Sequence, residues 1–334
     1  MKALVYTGVE TLEYREVPQP APGAGEELIR VMASGICGSD MHAYMGHDDR
    51  RPAPLILGHE AAGVVVGGPD DGRRVTLNPL VTCNDCPACI SGRTNLCAKR
   101  QIISMPPREG AFADFVTMPR SNLITVPDAT SLSHAALTEP VACGWHGARL
   151  ANIALNLPMS EMCCLVIGGG AIGVGAALSL AAQGATNITV IEPNDIRREC
   201  LQNVSGFITC DPTDSIVPQQ GSVDIVIDAV GFAATRKTSC AYVRPGGVIV
   251  HIGLGEATGG LDIRRMTLQE IQFIGTYTYT AADFIATADA IFSGQLGPLN
   301  WIESRPLADG QGAFRDIRSN RVAAPKIILI PEHT

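Results

Sequence analysis

The apolar positions of this chain change their period once. Up to about residue 138 they come in short alternating runs cut by turns, which predicts strands. Residues 1–35 read as short strands separated by the Pro/Gly-rich turn 18–25. Leu55-Ile56-Leu57 leads into Gly58-His59-Glu60, residues 61–66 read as a strand, Asp70-Asp71-Gly72 as a turn and 74–77 as another short strand. Residues 141–157 then fit a helix with an apolar stripe, and after Pro158 strand and helix alternate. Strands are expected at 164–167, 187–191, 223–229 and 247–252, and helices at 171–182 and 195–203. Such alternation implies a parallel sheet with right-handed crossovers. From about Ile274 one more helix is expected around 283–292, and the strand 326–330 ends the pattern.

A chain of 334 residues exceeds what one core organises, so two domains are expected. Apolar residues make up 46% and charged residues 17%, a globular balance and not a disordered one. A net charge of −8 excludes a phosphate-backbone partner, which needs a basic face. Residues 162–191 carry no charge, yet Gly168, Gly169, Gly170, Gly173 and Gly175 break the run, and Gln183-Gly184 interrupts it again. A buried strand–turn–helix–strand accounts for it better than a membrane span. The N-terminal stretch shows no secretory signal. The cytoplasm is therefore the expected compartment, where eleven cysteines point to metal ligands and free thiols over disulfides.

Three stretches carry chemistry. Residues 35–60 hold Cys37, Ser39, Asp40, His42, His59 and Glu60. A thiol, an imidazole and a carboxylate are the donor set of a zinc site with one position left open, although a lone Cys or His is more often a packing residue. Cys83, Cys86, Cys89 and Cys97 follow within fifteen residues of a polar loop. Four sulfurs can close a structural zinc site, and an iron–sulfur cluster uses the same number. Finally, the strand ending at Ile167 runs into Gly168-Gly169-Gly170-Ala171-Ile172-Gly173, a G-x-G-x-x-G that opens a helix. Glu192 ends the next strand twenty-four residues after the first glycine. This is the dinucleotide context: glycines admit the pyrophosphate, the helix N-terminus attracts it, and an acid takes the adenosine ribose. The Glu192 charge would repel a 2′-phosphate, which favours NAD over NADP, while Arg197 and Arg198 keep NADP open. Cys143, Cys163, Cys164, Cys200, Cys210 and Cys240 read as packing residues, as do the remaining histidines; of these His47 is the best placed to line a substrate cleft.

Taken together, these segments with Glu139-Pro140 and Asp228-Ala229-Val230-Gly231 make the chain resemble the zinc-dependent medium-chain dehydrogenases, in the sorbitol (polyol) and threonine dehydrogenase branch. The resemblance covers nearly the whole length. It implies an α/β protein with a GroES-like β-rich catalytic domain, 1–140 and 276–334, and a Rossmann doubly wound parallel-sheet domain, 141–275. It further implies that Cys37, His59 and Glu60 bind a catalytic zinc, with Asp40 fixing the His59 tautomer. Glu139 stands where the archetypal alcohol dehydrogenases have a second cysteine, so it becomes either a ligand or the holder of a ligand water. A second, structural zinc would occupy the four cysteines. Ser39 would take the alcohol proton and pass it through the nicotinamide ribose to His42, while zinc lowers the alcohol pKa. Gly168, Gly170, Ala171, Ile172, Gly173, Glu192 and Arg197 would hold the pyrophosphate and adenosine end, and Val230, Ile252, Gly253 and Leu254 the nicotinamide.

The activity implied is hydride transfer from a secondary alcohol or polyol to NAD by a homotetramer or homodimer. Asn95 stands where threonine dehydrogenases carry a histidine, which tilts the substrate towards polyols. The loop between Val66 and Arg74 is shorter than the family's habit. Two alternatives stay open: a threonine-type amino-alcohol dehydrogenase, and a non-catalytic dinucleotide-binding sensor or interaction protein.

Overall fold

The computed structural model describes residues 1–333. They fall into two units. One is Met1–Glu139 with Thr280–Ser293 and the chain from Ile302 onward; the other is Pro140–Tyr279 with Gly294–Trp301. From sequence, the chain is expected to return to the first domain at residue 276 and to stay there. Instead, 294–301 groups with the second unit, where Gln295 Nε2 donates to the Ala182 carbonyl 2.8 Å away. The segment also buries Leu296, Leu299 and Trp301, but so few apolar residues in so short a stretch leave no mark in apolar period.

In the first unit the strand Glu26–Gly35 is the hub. It pairs antiparallel with Glu60–Val66, Phe115–Pro119 and Lys326–Ile330 in a seven-stranded sheet that continues to Arg74–Leu77 and Leu123–Thr125 on one side and Ile302–Pro306 on the other. Its alternation sends Ile29 and Val31 into a core with Ala61, Val65, Val75, Leu77 and Met118. A smaller sheet of Thr11–Glu16, Lys2–Gly8 and Leu55–Ile56 covers a second core, where Tyr44 and Phe112 pack on Phe314. Register then sets the chemistry: Gly35 lies opposite both Glu60 and Ile328, so three distant segments meet at one glycine.

The second unit is a six-stranded, all-parallel sheet in the order Ile208–Cys210, Asn187–Ile191, Cys163–Ile167, Val223–Asp228, Val243–His251, Gln272–Gly275. Its central strands Asn187–Ile191, Cys163–Ile167 and Val223–Asp228 are buried nearly throughout, as a parallel sheet covered on both faces requires. The strand order reverses beside Cys163–Ile167, and ligands of open parallel sheets bind at the carboxyl ends of strands at such a point. The helix Ala171–Ala182 starts there. The helix expected at 141–157 is Thr138–Leu155; Pro140 sits in its first turn, where a missing N–H costs nothing. No described helix is long and apolar enough to cross a membrane.

Candidate active site

Cys37 follows the end of the strand Glu26–Gly35 and precedes the helix Gly38–Tyr44; His59 stands just before the strand Glu60–Val66. The donor atoms of Cys37, His59 and Glu60 all lie within 4.8 Å of one another. Glu60 is fully buried, and residue 35 has to be glycine because a Cβ there would collide with Glu60 Oε2. The carboxylate faces Lys326, which the sequence did not mark at all. Lys326 is only 3% exposed; its Nζ donates to Glu60 Oε1 at 2.7 Å and to the Ile36 carbonyl at 2.7 Å. Burial alone would push the ammonium pKa down, but the charges of Glu60, Cys37 and Glu139 hold it above its ordinary value. Glu60 Oε2 stands 2.6 Å from the same ammonium yet receives no directed hydrogen bond. A thiol, an imidazole and a carboxylate with their donor atoms at this spacing fit a zinc ion.

Asp40 ties the two ligand-bearing segments together. Its Oδ2 accepts from the Cys37 amide at 3.0 Å and its Oδ1 from the Gly58 amide at 3.2 Å. Oδ1 also lies 3.5 Å from His59 Nδ1, and the buried Ser104 hydroxyl is closer to that nitrogen, at 3.3 Å. Nδ1 is thus engaged, which leaves Nε2 for a metal. Burial pushes the His59 pKa down, but the Asp40 and Cys37 charges outweigh it and raise it well above 6.5. Burial raises Asp40, and the His59 and Arg51 charges with the Cys37 amide bring it below the usual carboxylate range. Ser39 and His42 lie three apart on the helix Gly38–Tyr44, hence on one face, and both are partly exposed. Glu139 is buried and its charge reaches Lys326, but it is not part of the three-residue cluster. His47 is exposed.

The four cysteines also converge. Their sulfurs all lie within 4.8 Å of one another, with Cys86–Cys89 and Cys83–Cys97 at 3.5 Å and Cys83–Cys89 at 4.0 Å. A tetrahedral zinc with four thiolates holds its sulfurs about 3.8 Å apart, so the cage fits that ion. The Cys89 amide pulls the Cys86 thiol down to about 6, whereas Asp85 pushes Cys83 up to about 12.

In the second unit, Gly168 has φ +99°, and a Cβ at Gly173 would collide with the Gly168 carbonyl, so the turn and the helix–strand contact both require glycine. Gly170 is different: nothing lies within 4 Å of where a Cβ would point. That open side is where a pyrophosphate can approach the backbone at the N-terminus of the helix Ala171–Ala182. Glu192 is buried and accepts from the Gly169 and Asn194 amides, each at 2.8 Å, with Arg197 Nη1 3.6 Å from its Oε2. Asp228 Oδ1 accepts from the Val230 and Gly231 amides, and the buried Arg236 donates to the carbonyls of Gly231, Glu256, Thr258 and Gly259. Asp228 also accepts from the Ile252 and Gly253 amides through its carbonyl, so it holds the backbone at Val230, Ile252 and Gly253. Arg236 carries no local sequence signal, because its acceptors are backbone carbonyls, most of them in the distant loop 256–259.

Residues 23–128 match the family model described as alcohol dehydrogenase GroES-like domain, and residues 171–293 the one described as zinc-binding dehydrogenase. L-galactonate-5-dehydrogenase of Escherichia coli K12 is 32% identical over 336 residues, 96% of each chain. Sorbitol dehydrogenase of Bacillus subtilis is 32% identical over 296 residues, 84% of this chain and 82% of that one. A Sinorhizobium meliloti protein solved bound to NADP superposes with a TM-score of 0.86 at 29% identity, over 99% of both chains.

Proposed function

The chain belongs to the zinc-dependent medium-chain dehydrogenase family, and from that premise we propose that it oxidises a secondary hydroxyl of a polyol or sugar acid, with NAD as hydride acceptor. The observation that carries this reading is the convergence of the Cys37, His59 and Glu60 donor atoms in a chain that also bears the complete glycine loop. Cys37, His59 and Glu60 would hold the zinc ion, whose Lewis acidity, when bound, lowers the hydroxyl pKa. Glu139, through its charge on Lys326, shares in setting how much negative charge the site carries. Ser39 would take the proton leaving the hydroxyl while releasing its own through the nicotinamide ribose to His42, which delivers it to water. Carbinol hydride chemistry belongs to the cofactor; the chain orients it. The four-cysteine cage would hold a second zinc with no open position.

NAD over NADP is supported by Glu192. Its carboxylate is held in place by two backbone amides beside the glycine loop, where it would accept the ribose hydroxyls and repel a 2′-phosphate. NAD is therefore expected to support turnover better than NADP in a direct comparison of kcat/KM. Polyols and sugar acids are supported by the substrates named for the L-galactonate and sorbitol relatives. A homo-oligomer is the assembly this reading brings with it. The direct test is Cys37→Ser: it should abolish turnover and lose one of two zinc ions per chain while binding NAD as the wild type does. Full activity in that variant would refute the assignment.

A further inference from the structure

We infer that Ser104 is a positioning residue for His59, held in place by the buried Arg51. The inference rests on the zinc reading above. An imidazole that gives Nε2 to a metal carries its proton on Nδ1, and that N–H needs an acceptor to fix the ring. Asp40 is the obvious one, but each of its oxygens already receives a backbone N–H, and Oδ1 is 3.5 Å from Nδ1. The Ser104 hydroxyl is nearer, at 3.3 Å, and fully buried. To bring it there the chain holds Ser104 at φ +67°, in the left-handed region that serine seldom occupies.

Something must oppose that strain, and Arg51 does so. Arg51 is 3% exposed; its Nε donates to the Ser104 carbonyl at 3.0 Å and its Nη1 to Asp48 Oδ2 at 2.5 Å. A buried guanidinium satisfied by a carboxylate on one side and a strained carbonyl on the other forms a clamp. The chain Asp48–Arg51–Ser104–His59 thus ends on the His59 ring. Ser104 is then the nearer acceptor for His59 Nδ1–H, with the Asp40 carboxylate beside it at 3.5 Å, and the ring cannot swing without losing the Ser104 contact.

The test uses zinc-loaded full-length protein and competition with a chelator of known affinity, the four-cysteine site serving as internal reference. Ser104→Gly removes the hydroxyl and relaxes the backbone, so the fold is preserved; Ser104→Ala removes the hydroxyl alone. Both should lower zinc affinity at the Cys37 site about 10–100-fold, leave the cysteine site unchanged, and shift the visible bands of the cobalt-substituted protein. Arg51→Met should act in the same direction. Unchanged affinity and unchanged cobalt bands in both Ser104 variants, with two zinc ions in the wild type, would overturn the role of Ser104 alone. A wild type that binds one zinc, in the cysteine site only, would overturn the zinc reading and this inference with it.

Discussion

Lys326 shows how much of a site can rest on one side chain from the far end of the chain. Its ammonium donates to a carboxylate that is 0% exposed, and removing one partner of such a pair leaves a buried charge uncompensated. Lys326→Met should therefore destabilise chelator-treated protein by about 3–5 kcal/mol in urea unfolding, and zinc-loaded protein by clearly less, because the ion's charge replaces the ammonium. Equal losses in the two forms would show that Glu60 faces no metal. The grouping of Cys37, His59 and Glu60 was legible in the sequence because donor residues of the right type crowd into one short stretch. Lys326, Ser104 and Arg51 were not. Their partners lie 266, 45 and 53 residues away, and a lysine on an apolar strand or a serine in a loop has no local signature.

Among elements, the strand Glu26–Gly35 links the site to the rest of its unit. At its far end Glu26 accepts from the Gly23 amide and pairs with Arg108 at 2.8 Å, both side chains being mostly covered. Burial raises the Glu26 pKa, but Arg108 and the Gly23 amide outweigh it and bring it below its ordinary 4.5. A depressed carboxylate contributes stability above the unfolded value and loses it as pH falls through the folded one. Arg108→Gln should thus cost less than about 1 kcal/mol at neutral pH, and the gap to wild type should close as pH drops below 4.5. A gap that persists or widens in acid would contradict the assignment. Strands Asn187–Ile191, Arg74–Leu77 and Lys326–Ile330 lie where the apolar pattern placed them, and helix Ala171–Ala182 where the glycine turn and its apolar run did. Ile302–Pro306, which is IESRP, and Ala233–Tyr242, which is largely polar, carry no such signal, and tertiary contacts form them. Gly310–Arg318 does present one apolar face through Ala313 and Phe314, but two glycines in its first turn and its polar composition mask it.

At the scale of the whole molecule, the chain carries a metal-donor cluster, a four-thiol cage and a dinucleotide loop, the first two in one unit and the third in the other. A non-catalytic dinucleotide sensor would have little use for a buried, charge-balanced Cys–His–Glu cluster, so the proposed account is an enzyme's. Its central claim is tested most directly by following the absorbance of reduced nicotinamide with zinc-loaded protein and NAD. The alcohols to offer are sorbitol, xylitol, L-galactonate, L-idonate, simple secondary alcohols and threonine. The account predicts turnover with polyols or sugar acids, lost on zinc removal and restored by zinc. Turnover with threonine alone, or none with any of these alcohols from protein carrying two zinc ions per chain, would contradict it.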